Sequence, residues 1–142
     1  MSGLASGPYQ VSYGGSGEQL LTLQGSHSGT PIVVSSPTKP GEQDWHVDIR
    51  GDMHATLTNL KFTKFLGYEG EPQEGLPVVA ADSPAVFQLE PTGDMVPQFR
   101  LRVLDEPAGG RPLYLGLSPQ EIYPQRTALA YKENAWQFYA LE

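Results

Sequence analysis

The chain has 142 residues, 39% hydrophobic and 18% charged, with a formal net charge of −7 and no cysteine. That length suits one domain with a sizeable core, and the composition is that of a folded chain. Nine scattered Lys and Arg against a net negative charge argue against nucleic-acid and acidic-membrane partners, which need a basic patch. The lack of cysteine excludes disulfides, thiol catalysis and Cys-ligated zinc.

The start, Met1 to Pro8, has no basic flank and no apolar run, so no secretory signal is read there. With cysteine also missing, a cytoplasmic location is expected. No apolar stretch approaches the roughly twenty residues that cross a bilayer as a helix. Gly and Pro make up 29 of the 142 residues and recur every few positions, which reads as turn punctuation between many short strands.

The predicted elements follow in chain order. Residues 1–7 read as a flexible lead. Tyr9-Gln10-Val11-Ser12-Tyr13 alternates apolar and polar, the period of a half-buried strand. Leu21 to Gly25 is a second strand, and Pro31 to Val34 a third that opens on proline. Trp45-His46-Val47 closes the set with an aromatic-x-apolar pair. The same four steps recur at His54 to Leu60, Phe65 to Tyr68, Pro77 to Ala81 and Phe87-Gln88-Leu89. They recur again at Phe99 to Val103, Leu113 to Gly116, Thr127 to Tyr131 and Trp136-Gln137-Phe138, a last strand expected to run to Leu141. The closing aromatics Trp45, Phe87 and Trp136 stand 42 and 49 residues apart.

Three repeats of four strands, at about 8–50, 51–95 and 96–142, predict an all-β chain with almost no helix. One four-strand unit cannot bury its apolar face alone. Three around a pseudo-threefold axis close a six-stranded barrel and cap it with three hairpins, the β-trefoil plan, with the three aromatics as a core layer. A sandwich is the competing all-β arrangement, and it leaves the repeated aromatics unexplained.

Enzyme signatures are missing, so no enzyme, cofactor or metal is expected. Gly14-Gly15-Ser16-Gly17-Glu18 lacks the last glycine of a nucleophile elbow and reads as a hairpin loop. His27, His46 and His54 lack metal-ligand spacing, and Glu69 and Glu71 sit in a Gly- and Pro-bounded loop as solvated charge. Arg50-Gly51-Asp52 reads as a turn between the first two repeats. The Pro-rich segments Ser35 to Asp44, Glu69 to Leu76 and Ser118 to Gln125 are long enough to project. Proline lowers the entropy such a loop loses on binding a partner.

Gly7-Pro8-Tyr9-Gln10-Val11, Leu76 to Asp82, Phe87 to Pro91 and Trp136 to Glu142 together resemble the fungal β-trefoil protease inhibitors. The likeness is to the cospin- and cnispin-like serine protease inhibitors, and in the middle segment also to the clitocypin-like mycocypins. It implies a monomeric protein whose partner is a trypsin-like protease, blocked by a rigid loop. Its implied inhibitory candidates are Lys132 with Glu133, between the eleventh and twelfth strands, then Arg50 with Gly51, then Arg126. The mycocypin likeness implies instead a papain-like target met by Gly14 and Gly15, helped by a loop holding Pro37 and Lys39. A β-trefoil lectin is the alternative from another class, with Tyr68, Tyr114 and Tyr123 as candidate sugar platforms. The three repeats do not preserve the Gln-x-Trp signature of ricin-type lectins.

Overall fold

The structure, a computed structural model, describes residues 4–14, 19–93, 98–107 and 109–141. It contains twelve strands and, among the described residues, no helix. The strands are β1 (Gly7–Tyr13), β2 (Leu20–Thr22), β3 (Val33–Ser35), β4 (Trp45–Arg50), β5 (His54–Asn59) and β6 (Phe65–Gly67). They continue as β7 (Val79–Ala81), β8 (Phe87–Pro91), β9 (Gln98–Val103), β10 (Tyr114–Leu117), β11 (Gln125–Ala130) and β12 (Trp136–Ala140).

Six of them close a ring of antiparallel pairs, β1–β4–β5–β8–β9–β12 and back to β1. Closure leaves no free edge in that barrel. The other six form the hairpins β2–β3, β6–β7 and β10–β11. This is the β-trefoil arrangement that the three sequence repeats predict.

The hairpins are joined around an axis by a closed cycle of backbone hydrogen bonds. Ile32 N–H donates to the Val78 carbonyl at 3.1 Å, Val78 N–H to the Thr127 carbonyl at 3.1 Å, and Thr127 N–H to the Ile32 carbonyl at 2.9 Å. These bonds make Ile32, Val78 and Thr127 equivalent positions. Thr127 departs from the β-branched hydrocarbons of the other two, and its hydroxyl donates a second bond to the Ile32 carbonyl at 2.7 Å. A buried hydroxyl is thereby satisfied.

The core follows the same threefold order. Trp45, Phe87 and Trp136 are all fully buried, as expected from their spacing. Val11, Leu57 and Leu101 on the alternating strands are fully buried as well, and so are Leu21, Leu66 and Leu115 on the first strand of each hairpin. The two indoles anchor their own hairpins: Trp45 Nε1 donates to the Leu21 carbonyl at 3.0 Å and Trp136 Nε1 to the Leu115 carbonyl at 2.9 Å. Phe87, without a donor, fills the same place by packing alone.

Several expectations need correction. Leu4 packs against the core, the Tyr9 hydroxyl donates to the Ala5 carbonyl at 2.6 Å, and Ser6 Oγ accepts the Ile49 N–H at 2.8 Å. Gly7 already pairs with Val47. Residues 4–7 are therefore docked, not a flexible lead. The third strands of repeats one and two begin two residues later than expected, because Pro31 and Pro77 lack an N–H and make only single bridges, to Val79 and Ala128. In the last repeat the strand begins earlier, at Gln125, because Gln125 and Arg126 pair with Val34 and Val33. The final strand ends at Ala140, although Leu141 N–H still bonds the Pro8 carbonyl at 2.9 Å.

Asn59 is a fully buried polar side chain that braces the turn after β5. Its amide donates to the Glu42 carbonyl at 3.1 Å, and its oxygen accepts from the Lys61 and Phe62 N–H groups, each at 3.1 Å. Asn59→Ala removes these three bonds, taking the acceptor from the Lys61 and Phe62 N–H groups while the Glu42 carbonyl keeps the Leu23 N–H, and is expected to cost about 1–3 kcal/mol in urea unfolding. Thr127→Val is expected to cost at most about 1 kcal/mol, because the Thr127 N–H still serves the Ile32 carbonyl.

Candidate functional site

The loop between β10 and β11, residues 118–124, carries the most exposed aromatic of the described chain, Tyr123 at 91%. Ile122 beside it is 41% exposed. The loop is held at its base: the Ser118 N–H donates to the Arg126 carbonyl at 2.8 Å, and the Gln125 side-chain amide donates to the Ser118 carbonyl at 2.8 Å. The Tyr123–Pro124 bond is cis. Tyr123 stands between two clefts. One, of about 220 Å³, is lined by Gln24, Thr30, Pro31, Ile122, Tyr123 and Arg126 among others. The other, of about 300 Å³, is lined by Gln19, Val34, Ser35, Ser36, Tyr123 and Gln125. An exposed ring flanked by amide, hydroxyl and guanidinium groups can stack on a flat apolar face while hydrogen-bonding its rim.

The other two tyrosines named as platforms are occupied. Tyr114 is buried at 7% exposure, a correction to its reading as a surface platform. It lies on β10, where residues on either side of the pleat are covered. Tyr68 is half-buried and its hydroxyl donates to Asp105 Oδ2 at 2.7 Å. Burial, and then the hydrogen bond and charge of Asp105, push the Tyr68 phenol well above its usual range.

The basic candidates fall into three different settings. Lys132 lies in the exposed turn between β11 and β12, but its carbonyl accepts the Asn134 N–H at 3.0 Å and lies 3.5 Å from the Asn134 side-chain amide. A substrate-like inhibitor must offer that oxygen to the oxyanion hole of the protease. Here it is turned into the loop. Glu133 pairs with Arg100 at 3.3 Å. Arg50 ends β4 and pairs with Asp48 at 3.0 Å, and the peptide that follows enters a tight turn with Gly51 at φ 54° and Met53 at φ 63°. That backbone is not the extended form a protease cleft receives. Arg126 lies within β11, opposite Val33 of β3 and with its carbonyl accepting the Ser118 N–H, so it stands in a strand and not in a loop.

Gly14 follows β1 at φ 62°, while Gly15 lies outside the described residues. Pro37 and Lys39 are exposed on the segment between β3 and β4, which is braced from beneath by Gln43. Gln43, only 4% exposed, donates to the Ser36 carbonyl at 2.9 Å and to Thr22 Oγ1 at 3.0 Å, and accepts the Thr38 N–H at 3.2 Å. Gln43-Asp44-Trp45 is also a single Gln-x-Trp copy, which the comparison of all three repeats overlooks; the equivalents are Ala85-Val86-Phe87 and Asn134-Ala135-Trp136. In this fold Gln43 braces a loop from inside while Trp45 fills the core. Among the described residues, no group of three His, Asp or Glu is placed to hold a metal ion.

Gln43→Leu is expected to destabilise the chain by about 1–3 kcal/mol, since it takes the acceptor from the half-buried Thr38 N–H and removes the amide bonds to Thr22 and Ser36. Amide hydrogen exchange at Thr38 is expected to speed up more than exchange in the barrel strands.

No protein-family model matches the sequence, and no curated protein does. Solved structures do match it. A designed threefold-symmetric protein, ThreeFoil, superposes with a TM-score of 0.79 at 16% identity, covering 94% of this chain and 99% of that one. The Rhizoctonia solani agglutinin matches with a TM-score of 0.78 at 20% identity, over 98% of both chains. A ricin B-like lectin of Macrolepiota procera, solved in complex with lactose, matches with a TM-score of 0.77 at 20% identity, over 98% of this chain and 99% of that one. At such identities the likeness is one of fold.

Proposed function

We propose that this β-trefoil is a carbohydrate-binding protein without catalytic chemistry, and that Tyr123 is its stacking platform. The observation that carries the reading is the 91% exposed Tyr123 ring held between two polar-rimmed clefts. An aromatic of that size left in water on a barrel whose other large rings are mostly covered needs a use, and a sugar's C–H face is a fitting partner. The lectin of Macrolepiota procera, similar in fold and solved with lactose, lends support to the same class. Sugar binding here requires no general acid or base.

A second reading is inhibition of a papain-like protease through the segment holding Pro37 and Lys39. The buried Gln43 brace favours it, because a loop fixed from inside loses little entropy on entering a cleft. A trypsin-like target met by Lys132 or Arg50 has less in its favour, given the engaged Lys132 carbonyl and the left-handed turn after Arg50.

Titration with lactose and related disaccharides, followed by Tyr fluorescence or calorimetry, tests the first reading. Tyr123→Ala is expected to weaken binding about tenfold with no change in melting temperature, since the ring supports nothing else. Full papain activity in the presence of excess protein would end the second reading. Loss of that activity, relieved by substitutions at Pro37 and Lys39, together with silent sugar titrations, would replace the first.

A further inference from the structure

Arg126 occupies a position at which the other two repeats carry proline. The backbone cycle makes Ile32, Val78 and Thr127 equivalent, so the residues just before them, Pro31, Pro77 and Arg126, are equivalent too. All three line a cleft of about 160 Å³ at the hairpin end, together with Ser118, Gln120 and Thr127. Pro31 and Arg126 also line the cleft beneath Tyr123, so the two clefts adjoin. Among the described residues, Arg126 is the one charged residue lining either of them. Its side chain is exposed and, among the described residues, has no carboxylate within ion-pair distance, Glu121 of the neighbouring loop included. In a chain of net charge −7, where Arg50, Arg100 and Arg102 are each paired with a carboxylate, that is an uncompensated cation.

We propose that Arg126 makes this an acidic-sugar site. A saccharide bearing one carboxylate, of the sialic-acid or uronic-acid kind, places its ring on Tyr123 and its carboxylate on the Arg126 guanidinium. The planar fork of arginine matches a carboxylate with two parallel hydrogen bonds. A lone cation in a neutral cleft suits a ligand with a single negative charge. A densely sulfated chain would meet the repulsion of the remaining surface. The inference rests on the reading of Tyr123 as a sugar platform and adds the charge of the ligand.

Calorimetric titration of the full chain with 3′-sialyllactose and with lactose, at low and high salt, tests it. The expected result is tighter binding of sialyllactose, weakened by salt, with lactose binding insensitive to salt. Arg126→Gln is expected to lower sialyllactose affinity about tenfold and lactose affinity by a much smaller factor, so that the preference for the acidic sugar is lost. Arg126→Lys should recover only part of the loss, since an ammonium lacks the fork. The melting temperature of each variant checks the fold, and Arg126 has no side-chain partner to lose. Equal affinities for the two sugars, or an Arg126→Gln variant that keeps its preference, would overturn the acidic-sugar inference while Tyr123→Ala still reports on sugar binding. If neither sugar binds, or an acidic peptide binds in their place through Arg126, both readings fall.

Discussion

Three main-chain hydrogen bonds, passed in a circle among Ile32, Val78 and Thr127, hold the hairpin end of this molecule together. Each hairpin has short strands and could not persist alone in water. Each is held because its neighbour supplies the partner for an otherwise buried N–H and carbonyl. The barrel at the other end is closed by its own six pairings. The circle decides how the hairpins meet, and so which loop residues face one another across the axis.

Symmetry at the level of backbone bonds is broken at the level of side chains, and the breaks differ in kind. Phe87 in place of tryptophan costs an indole hydrogen bond and leaves the packing intact. Thr127 in place of an aliphatic adds a bond to the Ile32 carbonyl. Both changes are absorbed inside the core. Arg126 in place of proline differs from them, because it puts a charge at the surface where the other repeats present a ring of hydrocarbon. At this point β11 also begins before its counterparts β3 and β7, with Gln125 and Arg126 set opposite Val34 and Val33.

The loops differ in how far the interior constrains them. The segment between β3 and β4 is stitched to the core by Gln43, and the turn between β11 and β12 by Asn134, whose amide oxygen accepts the Tyr13 hydroxyl at 3.1 Å. Gly116 beneath that turn has no room for a Cβ, which would lie 2.5 Å from Asn134 Nδ2. The Tyr123 loop is tied at its ends and leaves its tip in solvent. A chemically apolar ring on a fixed base is an inexpensive way to present a binding surface, because little order is lost on contact.

Residue pattern alone determined the twelve strands, their grouping in threes of four, and the burial of Trp45, Phe87 and Trp136. Alternation and aromatic spacing are local signals, and closing three such units leaves one economical arrangement. Docking of residues 4–7, the brace formed by Gln43, the burial of Tyr114 and the strand setting of Arg126 were decided only in three dimensions. Each depends on partners far along the chain: Ser6 meets Ile49, Gln43 meets Thr22, and Arg126 meets Val33. The meeting of Pro31, Pro77 and Arg126, which lie 46 and 49 residues apart, has no local signature. It exists because the hydrogen-bond circle turns three distant positions into neighbours.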